Sequence, residues 1–449
     1  MVEIRPLSHV AVVGGGTVAS LAAIALARSL PVSRISLVPC AIPGEALADH
    51  AVSGGAALQR LHARIGIGDP LLFARAGATP WLATRYRGFG HVGDFFVGHG
   101  VAARDPAGGF AAEPSLASLL AAQERWLLPE QEGSGALDLL LRFDLDAYRA
   151  GLHALAEQAG VHVTLPAVAS GVPGLRLENG KTLEADLVVD ATGSGWVRAG
   201  QPHATWRDWG QDAQLQRLCR SSASVAMRAS LSDTVTKVGA GYWMEQPGRH
   251  QTSWMACWAD AQDDARMQRA LESASGTRVS EPIAFRPGRL DMPWQGNVVA
   301  IGDAAVRLAP LGNLNLHLAA AQILLLLDLL PREASPFAEC AEFNRRAGLL
   351  ADDAQDFVRC QQRKEGSALL AQRVDQFSRR GWIPELAEGC IPADNWAQLL
   401  IGLGVKPGTL PRLQALPEEE VQRAARAREA TRARLLSTAH LFGSDQSNS

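Results

Sequence analysis

The stretch Asn297–Leu330, NVVAIGDAAVRLAPLGNLNLHLAAAQILLLLDLL, decides the fold. Val298-Val299-Ala300-Ile301 is an apolar, β-branched run of the kind that parallel sheets bury on both faces. It leads into Gly302-Asp303. A glycine there lets the backbone approach a ligand, and a carboxylate at the carboxyl end of such a strand accepts hydrogen bonds from sugar-alcohol hydroxyls. After the turn Pro310-Leu311-Gly312-Asn313 a Leu-rich helix begins, and its first-turn N–H groups face whatever lies over the strand end. Alone, this stretch is as much an ordinary βα unit as a ligand site.

A second element of the same kind opens the chain. Val10–Val13 reads as a short buried strand, followed by Gly14-Gly15-Gly16-Thr17-Val18-Ala19, an Ala/Leu-rich helix over Ser20–Leu30 and a strand at Arg34–Val38. This is the β–turn–α–β spacing of the dinucleotide fingerprint G-x-G-x-x-G/A. Gly14 makes the tight turn, Gly16 lets the backbone meet a pyrophosphate, and Ala19 stands for the third glycine. The acid expected at the end of the second strand to hold an adenosine ribose is missing, because Ser36-Leu37-Val38 runs into Pro39-Cys40. A third buried strand, Leu187–Asp190, ends in Ala191-Thr192-Gly193, again placing a glycine where open α/β sheets hold cofactors.

The chain has 449 residues and a formal net charge of −3, too balanced for nucleic acid or an anionic membrane as partner. Cys40, Cys219, Cys257, Cys340, Cys360 and Cys390 form no CxxC pair, which points to mostly buried free thiols in a reducing compartment, the cytoplasm. No metal-ligand spacing occurs among the histidines. Met1–Val10 has no signal-peptide core, and Leu316–Leu330 is shorter than a membrane span and carries His317, Gln322 and Asp328.

Between these landmarks, helices are expected over Ala56–Ile65 and Asp144–Gly160, and strands over Ala83–Phe89, Asp94–Val97, Val161–Leu165, Leu175–Leu177 and Thr182–Leu183. Leu128–Gly135 reads as an exposed tip. Ala223–Ala229, Lys237–Met244 and Gln251–Trp258 fit an antiparallel sheet, with Trp243, Trp254 and Trp258 read as sheet core in preference to a cavity lining. Helices dominate from Ser335 onward, and Glu418–His440 reads as a solvated helix whose charges carry no function.

With GGGTVA early, DATGSG in the middle and IGDAA late, the chain resembles the FAD monooxygenase superfamily and, more narrowly, the flavin-dependent tryptophan halogenase family. Gly44-Glu45-Ala46, LQRLHARIGIGD, LDAYRAGLHALAEQAGV, Phe343–Arg346 and Asn395–Pro407 add to the likeness, which covers nearly the whole chain. It implies an α/β fold: an FAD-binding domain of Rossmann type, as in hydroxybenzoate hydroxylase, with an antiparallel substrate-covering sheet and a C-terminal helical region. FAD-binding parts are expected at 1–80, 144–200 and 286–334, substrate-sheet parts at 81–143 and 201–285, and the helical region at 335–449.

The resemblance also implies chemistry. Reduced FAD comes from a separate flavin reductase, oxygen is activated on it, and a halide is oxidised to hypohalous acid, which a lysine presents to a small aromatic substrate. The family is compatible with a homodimer. Carried over residue by residue, the pyrophosphate contacts match Gly14, Gly16, Thr17, Val18 and Ala19, and the flavin loop matches Gly44, Glu45 and Ala46. The ribitol-binding acid matches Asp303 after Gly302, and the stretch along the isoalloxazine matches Pro310, Leu311, Gly312 and Asn313.

The halogen-handling residues do not match. Trp81 stands at the place of the catalytic lysine, Gly312 at that of the catalytic glutamate, and Asn313-Leu314-Asn315 where Ser-Thr-Gly amides hold halide. The WxWxIP signature aligns with Tyr242–Pro247 and keeps only its proline. Three readings follow: an oxidoreductase of this family acting on an aromatic or indole-like molecule without standard halogenation, a non-catalytic homologue that binds flavin or serves as partner subunit, or a halogenase with a relocated lysine.

Overall fold

The computed structural model describes residues 7–30, 33–90, 93–128, 130–170, 174–200, 204–210, 215–223, 230–239, 241–330, 337–411 and 416–442. The chain divides into two compact units. The first comprises Met1–Ala78, Phe143–Leu218 and Pro282–Asp352, and the second Thr79–Arg142, Cys219–Glu281 and Asp353–Ser449.

The first unit is built on a six-stranded sheet: β1 (His9–Val13), β2 (Arg34–Val38), β3 (His162–Val163), β4 (Leu187–Asp190), β5 (Trp294–Gln295) and β6 (Val298–Ala300), in the order β5-β6-β4-β1-β2-β3. All neighbours are parallel except the short β5 beside β6. The apolar runs predicted as strands are those buried here, because each central strand is covered on both faces. Register pairs Val13 with Asp190 and Asp190 with Ala300, so the turns after β1, β4 and β6 lie side by side.

Helix α1 (Thr17–Ser29) leaves β1 directly, and its first ten residues are all buried. Helices α2 (Gly55–Arg64), α3 (Leu145–Gln158) and α4 (Leu314–Asp328) complete this unit's main helical layer: α1 packs on α3 and α4, and α2 on α4. Helix α4 is buried on nearly every side, which accounts for its apolar composition without a bilayer. No helix among the described residues is long and apolar enough to cross a membrane.

The second unit carries an antiparallel-rich sheet. Its strands run Arg217–Ala223, Thr252–Trp258, Gly241–Pro247, Ser232–Val238, Ala83–Arg87 and Phe95–Gly98, with Ala83–Arg87 parallel to Ser232–Val238. One expectation is corrected. Lys237–Met244 is not one strand, because the chain reverses at Gly239, whose φ of 56° suits a turn, and two strands pair across it. Most of Ala223–Ala229 lies outside the described residues. Trp254 and Trp258 pack with Cys219, Met267, Leu271 and Val279 as core, and Trp243 packs against that cluster.

The terminal helix is also more than a solvated face. It spans Glu418–Thr438, and His440–Leu441 then pairs as a short strand with Arg125–Trp126. Arg432 donates to Glu113 at 2.6 Å, Arg434 grips Glu132 with two 2.6 Å bonds, and Leu435 is buried.

A deeply buried ion pair of the second unit joins Arg142 Nη1 to Asp233 Oδ1 at 2.9 Å, both side chains 1% exposed. Arg142 also donates to the carbonyls of Pro80 and Ser230, and Gln246 donates to Asp233 Oδ2 at 2.9 Å. Removing one partner strands the other charge in a dry interior. Arg142→Ala is therefore expected to lower unfolding free energy by about 3–5 kcal/mol, measurable by urea denaturation. A loss below about 1 kcal/mol would mean the pair is solvated.

Candidate cofactor site

The two glycine-bearing strand ends converge. Gly302, at the turn after β6, has φ 60°, and a Cβ there would lie 3.1 Å from Val18 on α1. Its amide donates to Gln322 Oε1 of α4 at 2.7 Å. Gly14 lies so close to β4 that a Cβ would stand 2.4 Å from the Ala191 carbonyl. Arg307 ties the remaining loops, donating to the Asp303 carbonyl at 3.1 Å and the Gly193 carbonyl at 2.8 Å. Gly14, Gly16, Thr17, Val18, Ala19, Gly302 and Asp303 thus gather at one edge of the parallel sheet, and Ala46 joins them, since a Cβ on Gly193 would meet it at 2.7 Å.

The other flavin-matching residues have defined local roles. Gly44 and Glu45 are half-buried, and a Cβ on Gly44 would press on Ile283 at 2.8 Å. Gly312 and Asn313 both have positive φ, 68° and 58°, and turn the chain into α4. Asn315 accepts from the Leu308 amide at 2.9 Å and returns a 3.2 Å bond to its carbonyl, which closes the Leu308–Asn315 loop through Pro310 and Leu311. Its side chain is committed to that clamp, and Leu314 is buried.

A residue that sequence reasoning missed sits at the centre. Asp49 reaches the start of α1, where its Oδ1 accepts from the Val18 amide at 2.9 Å, and the Thr17 amide adds a second bond. A Cβ on Gly16 would lie 2.2 Å from the same oxygen. The helix N-terminus, an anion seat by its unpaired N–H groups and dipole, is filled by a carboxylate of the chain itself. One residue earlier, the Ala48 amide donates to Asp303 Oδ2 at 2.6 Å, with a further bond from Leu47. Leu47-Ala48-Asp49 therefore bridges from the GD carboxylate to the fingerprint amides.

Both carboxyls are almost wholly buried. Desolvation pushes Asp49 up to about 6, opposed by the Val18 amide and Arg149. Desolvation pushes Asp303 up to about 7, the neighbouring Asp49 charge adds to the rise, and the Ala48 amide and Arg307 oppose it. Asp303 Oδ1 has no hydrogen-bond partner. That orphaned oxygen suits a ribitol hydroxyl. The face of Gly16 does not suit a diphosphate as placed, because Asp49 occupies it.

In the second unit, Trp81 is 2% exposed, donates from Nε1 to the Ala83 carbonyl at 2.9 Å, and stands edge-on to His99 with ring centroids 4.1 Å apart. Burial holds His99 down to about 3, so its ring is neutral. Of the four lysines, Lys181, Lys237 and Lys406 are exposed and Lys364 is half-buried. In the stretch aligned with WxWxIP, Tyr242, Met244 and Gln246 are buried. No group of His, Cys, Asp and Glu able to hold a metal occurs among the described residues.

A parallel sheet with a glycine fingerprint at one strand end and Gly-Asp at another defines the Rossmann-type class of FAD proteins. The tryptophan halogenase family profile matches residues 9–418, and the chain belongs to that family. It is 25% identical over 215 residues to tryptophan 7-halogenase KtzQ of Kutzneria sp. (strain 744), a match covering 46% of this chain and 38% of that protein. It is 23% identical over 196 residues to tryptophan 7-halogenase RebH of Lentzea aerocolonigenes, covering 42% of this chain and 37% of that protein. The matched stretch thus spans under two-fifths of either relative. Among solved structures, BrvH, a flavin-dependent halogenase from Brevundimonas sp. BAL3, superposes with a TM-score of 0.87 at 22% identity, covering 97% of this chain and 98% of BrvH.

The raised carboxyls carry a pH signature. A group whose folded pKa exceeds its unfolded value of 3.8 stabilises the fold fully below that value, and the contribution is lost as pH rises through the folded value. Asp303→Asn keeps an acceptor for Ala48 but removes the titration. It is expected to exceed wild type in stability at pH 8 by on the order of 2–4 kcal/mol, with the difference shrinking steadily below pH 7 and gone near pH 4 in urea titrations. A difference independent of pH would show that Asp303 titrates normally.

Proposed function

We propose that this chain is an FAD-dependent oxidoreductase that accepts reduced FAD from a separate flavin reductase and uses oxygen on an aromatic, indole-like small molecule without standard halogenation. What carries the reading is that the polar half of the family site remains while the halogen-handling half is replaced by packing. Asp303, Gly14, Gly16 and the Thr17–Ala19 amides stand together, with Asp303 Oδ1 free to accept. Gly44–Ala46 and Pro310–Asn313 are the proposed flavin-loop and ring contacts. Bound FAD would supply the oxygen chemistry, and the chain's task is to hold it and exclude water. Leu314 and Asn315 are the weakest inherited positions, since the Asn315 side chain is spent on Leu308.

The missing lysine supports the reading without halogenation. Trp81 is packed edge-on to His99 and offers no basic nitrogen, and none of the four lysines is buried. At position 312 glycine leaves no anion to balance positive charge developing on an attacked ring. The six cysteines are free, four of them buried, which supports a reducing compartment, the proposed cytoplasm. A homodimer is the proposed assembly, from the family alone. Asp49 in the pyrophosphate position favours the second reading, a homologue without catalysis that serves as ligand binder or partner subunit.

With a flavin reductase, NADH, FAD, oxygen and an indole-type substrate panel, mass spectrometry is expected to find oxygenated product at the same rate with or without bromide. Halogenated product above the reductase-only control would overturn the loss of halogenation. Absence of any product would favour the second reading.

A further inference from the structure

Resting on the flavin reading above, we propose that Asp49 is an internal competitor for the diphosphate of FAD: its carboxylate must leave the Thr17 and Val18 amides before a dinucleotide can seat. Three observations carry this. First, the amides are taken, with Val18 N–H on Asp49 Oδ1 at 2.9 Å and Thr17 N–H on the same carboxylate. Second, the approach is filled, because all three atoms of the carboxylate lie within 2.6 Å of where a Gly16 Cβ would stand, the face on which the fingerprint glycine admits a ligand. Third, the segment carrying Asp49 is anchored at its other end, with Ala48 N–H on Asp303 Oδ2 at 2.6 Å and Arg149 donating to the Asp49 carbonyl.

The chemistry of the substitution is direct. A diphosphate and a carboxylate are both oxyanions with in-plane or terminal acceptors, and both are drawn to the first-turn N–H groups of a helix. They cannot share those donors, and two anions in one buried seat repel. The charges facing Asp49 are Arg149 from α3 and Asp303 from the GD turn, with Cys40 also within its field. Only Arg149 is a cation, and it already holds the Asp49 carbonyl. Riboflavin has no diphosphate, so competition by Asp49 should discriminate between flavins.

The test titrates the full chain with FAD and, separately, with riboflavin, read by flavin fluorescence, for wild type, Asp49→Asn and Asp49→Ala, each checked for folding by circular dichroism. Asp49→Ala should bind FAD at least tenfold more tightly than wild type, Asp49→Asn should fall between, and riboflavin affinity should change by less than twofold. If wild type binds FAD and neither substitution tightens it, the competition is overturned while the flavin reading stands. Equal tightening of FAD and riboflavin would also overturn it, since that reports general opening and not competition for the diphosphate. If no variant binds either flavin, the flavin reading falls and this proposal with it. Asp49→Asn is isosteric and keeps an acceptor for Val18, so it remains informative should Asp49→Ala fail to fold.

Discussion

Register in the parallel sheet is the constraint from which the site follows. Val13 beside Asp190, and Asp190 beside Ala300, bring three turns from widely separated parts of the chain to one edge. A one-residue slip would turn each strand's side chains to the opposite face. It would also pull Gly14 away from the Ala191 carbonyl and Gly302 away from Val18, two approaches that leave no room for a Cβ shift. Backbone bonds fix the register, with Gly14 N–H to Val38, Ala191 N–H to Val13 and Ile301 N–H to Asp190. Arg307 then joins the loops those bonds bring together.

Once gathered, the turns present donors and acceptors that cannot stay unsatisfied without cost. A helix start offers several N–H groups, and a buried carboxylate needs donors to offset its desolvation. Gly16, as N-cap, has no side chain to give. The Leu47–Asp49 segment resolves both demands with three consecutive residues, amides to Asp303 and a carboxylate to α1. An exchange between this internal ligand and an external one would leave the number of satisfied groups nearly unchanged, so its equilibrium depends on small differences in charge and reach.

The framework was legible because it rests on local signals. β-branched runs ending in glycine mark strands whose ends must be approached closely, and those runs are the buried centre of the sheet. The Leu-rich helix, the tryptophan core of the second sheet and the free cysteines follow from composition and period. Asp49 was not legible. It lies in ADHAVSG, a stretch with no period, and its partners are 31 and more residues away. The same holds for the terminal helix, whose arginines look solvated in sequence and find Glu113 and Glu132 some 300 residues earlier. The hairpin inside Lys237–Met244 had a local signal, the glycines at 239 and 241, which the apolar run around them masked. Long-range polar pairing leaves no trace in periodicity, so it is the part that coordinates must supply.

The pattern of what is replaced separates the two halves of the inherited chemistry. Trp81, Met244 and Tyr242 are apolar bodies sealed into the second unit, and each satisfies ordinary packing. Among the described residues the buried charges there pair internally, Arg142 with Asp233 and Gln246 with Asp233, while neutral atoms such as His99 Nε2 and Trp254 Nε1 stay buried without a partner. Asp303 differs. It is buried, held above its usual range by desolvation, and left with one oxygen unpartnered, a state that costs of order 1–3 kcal/mol in any protein interior. An alanine or leucine there would remove that cost outright. The first unit therefore retains a buried acceptor that an incoming donor would relieve, which is the physical basis for the proposed flavin contact at Asp303.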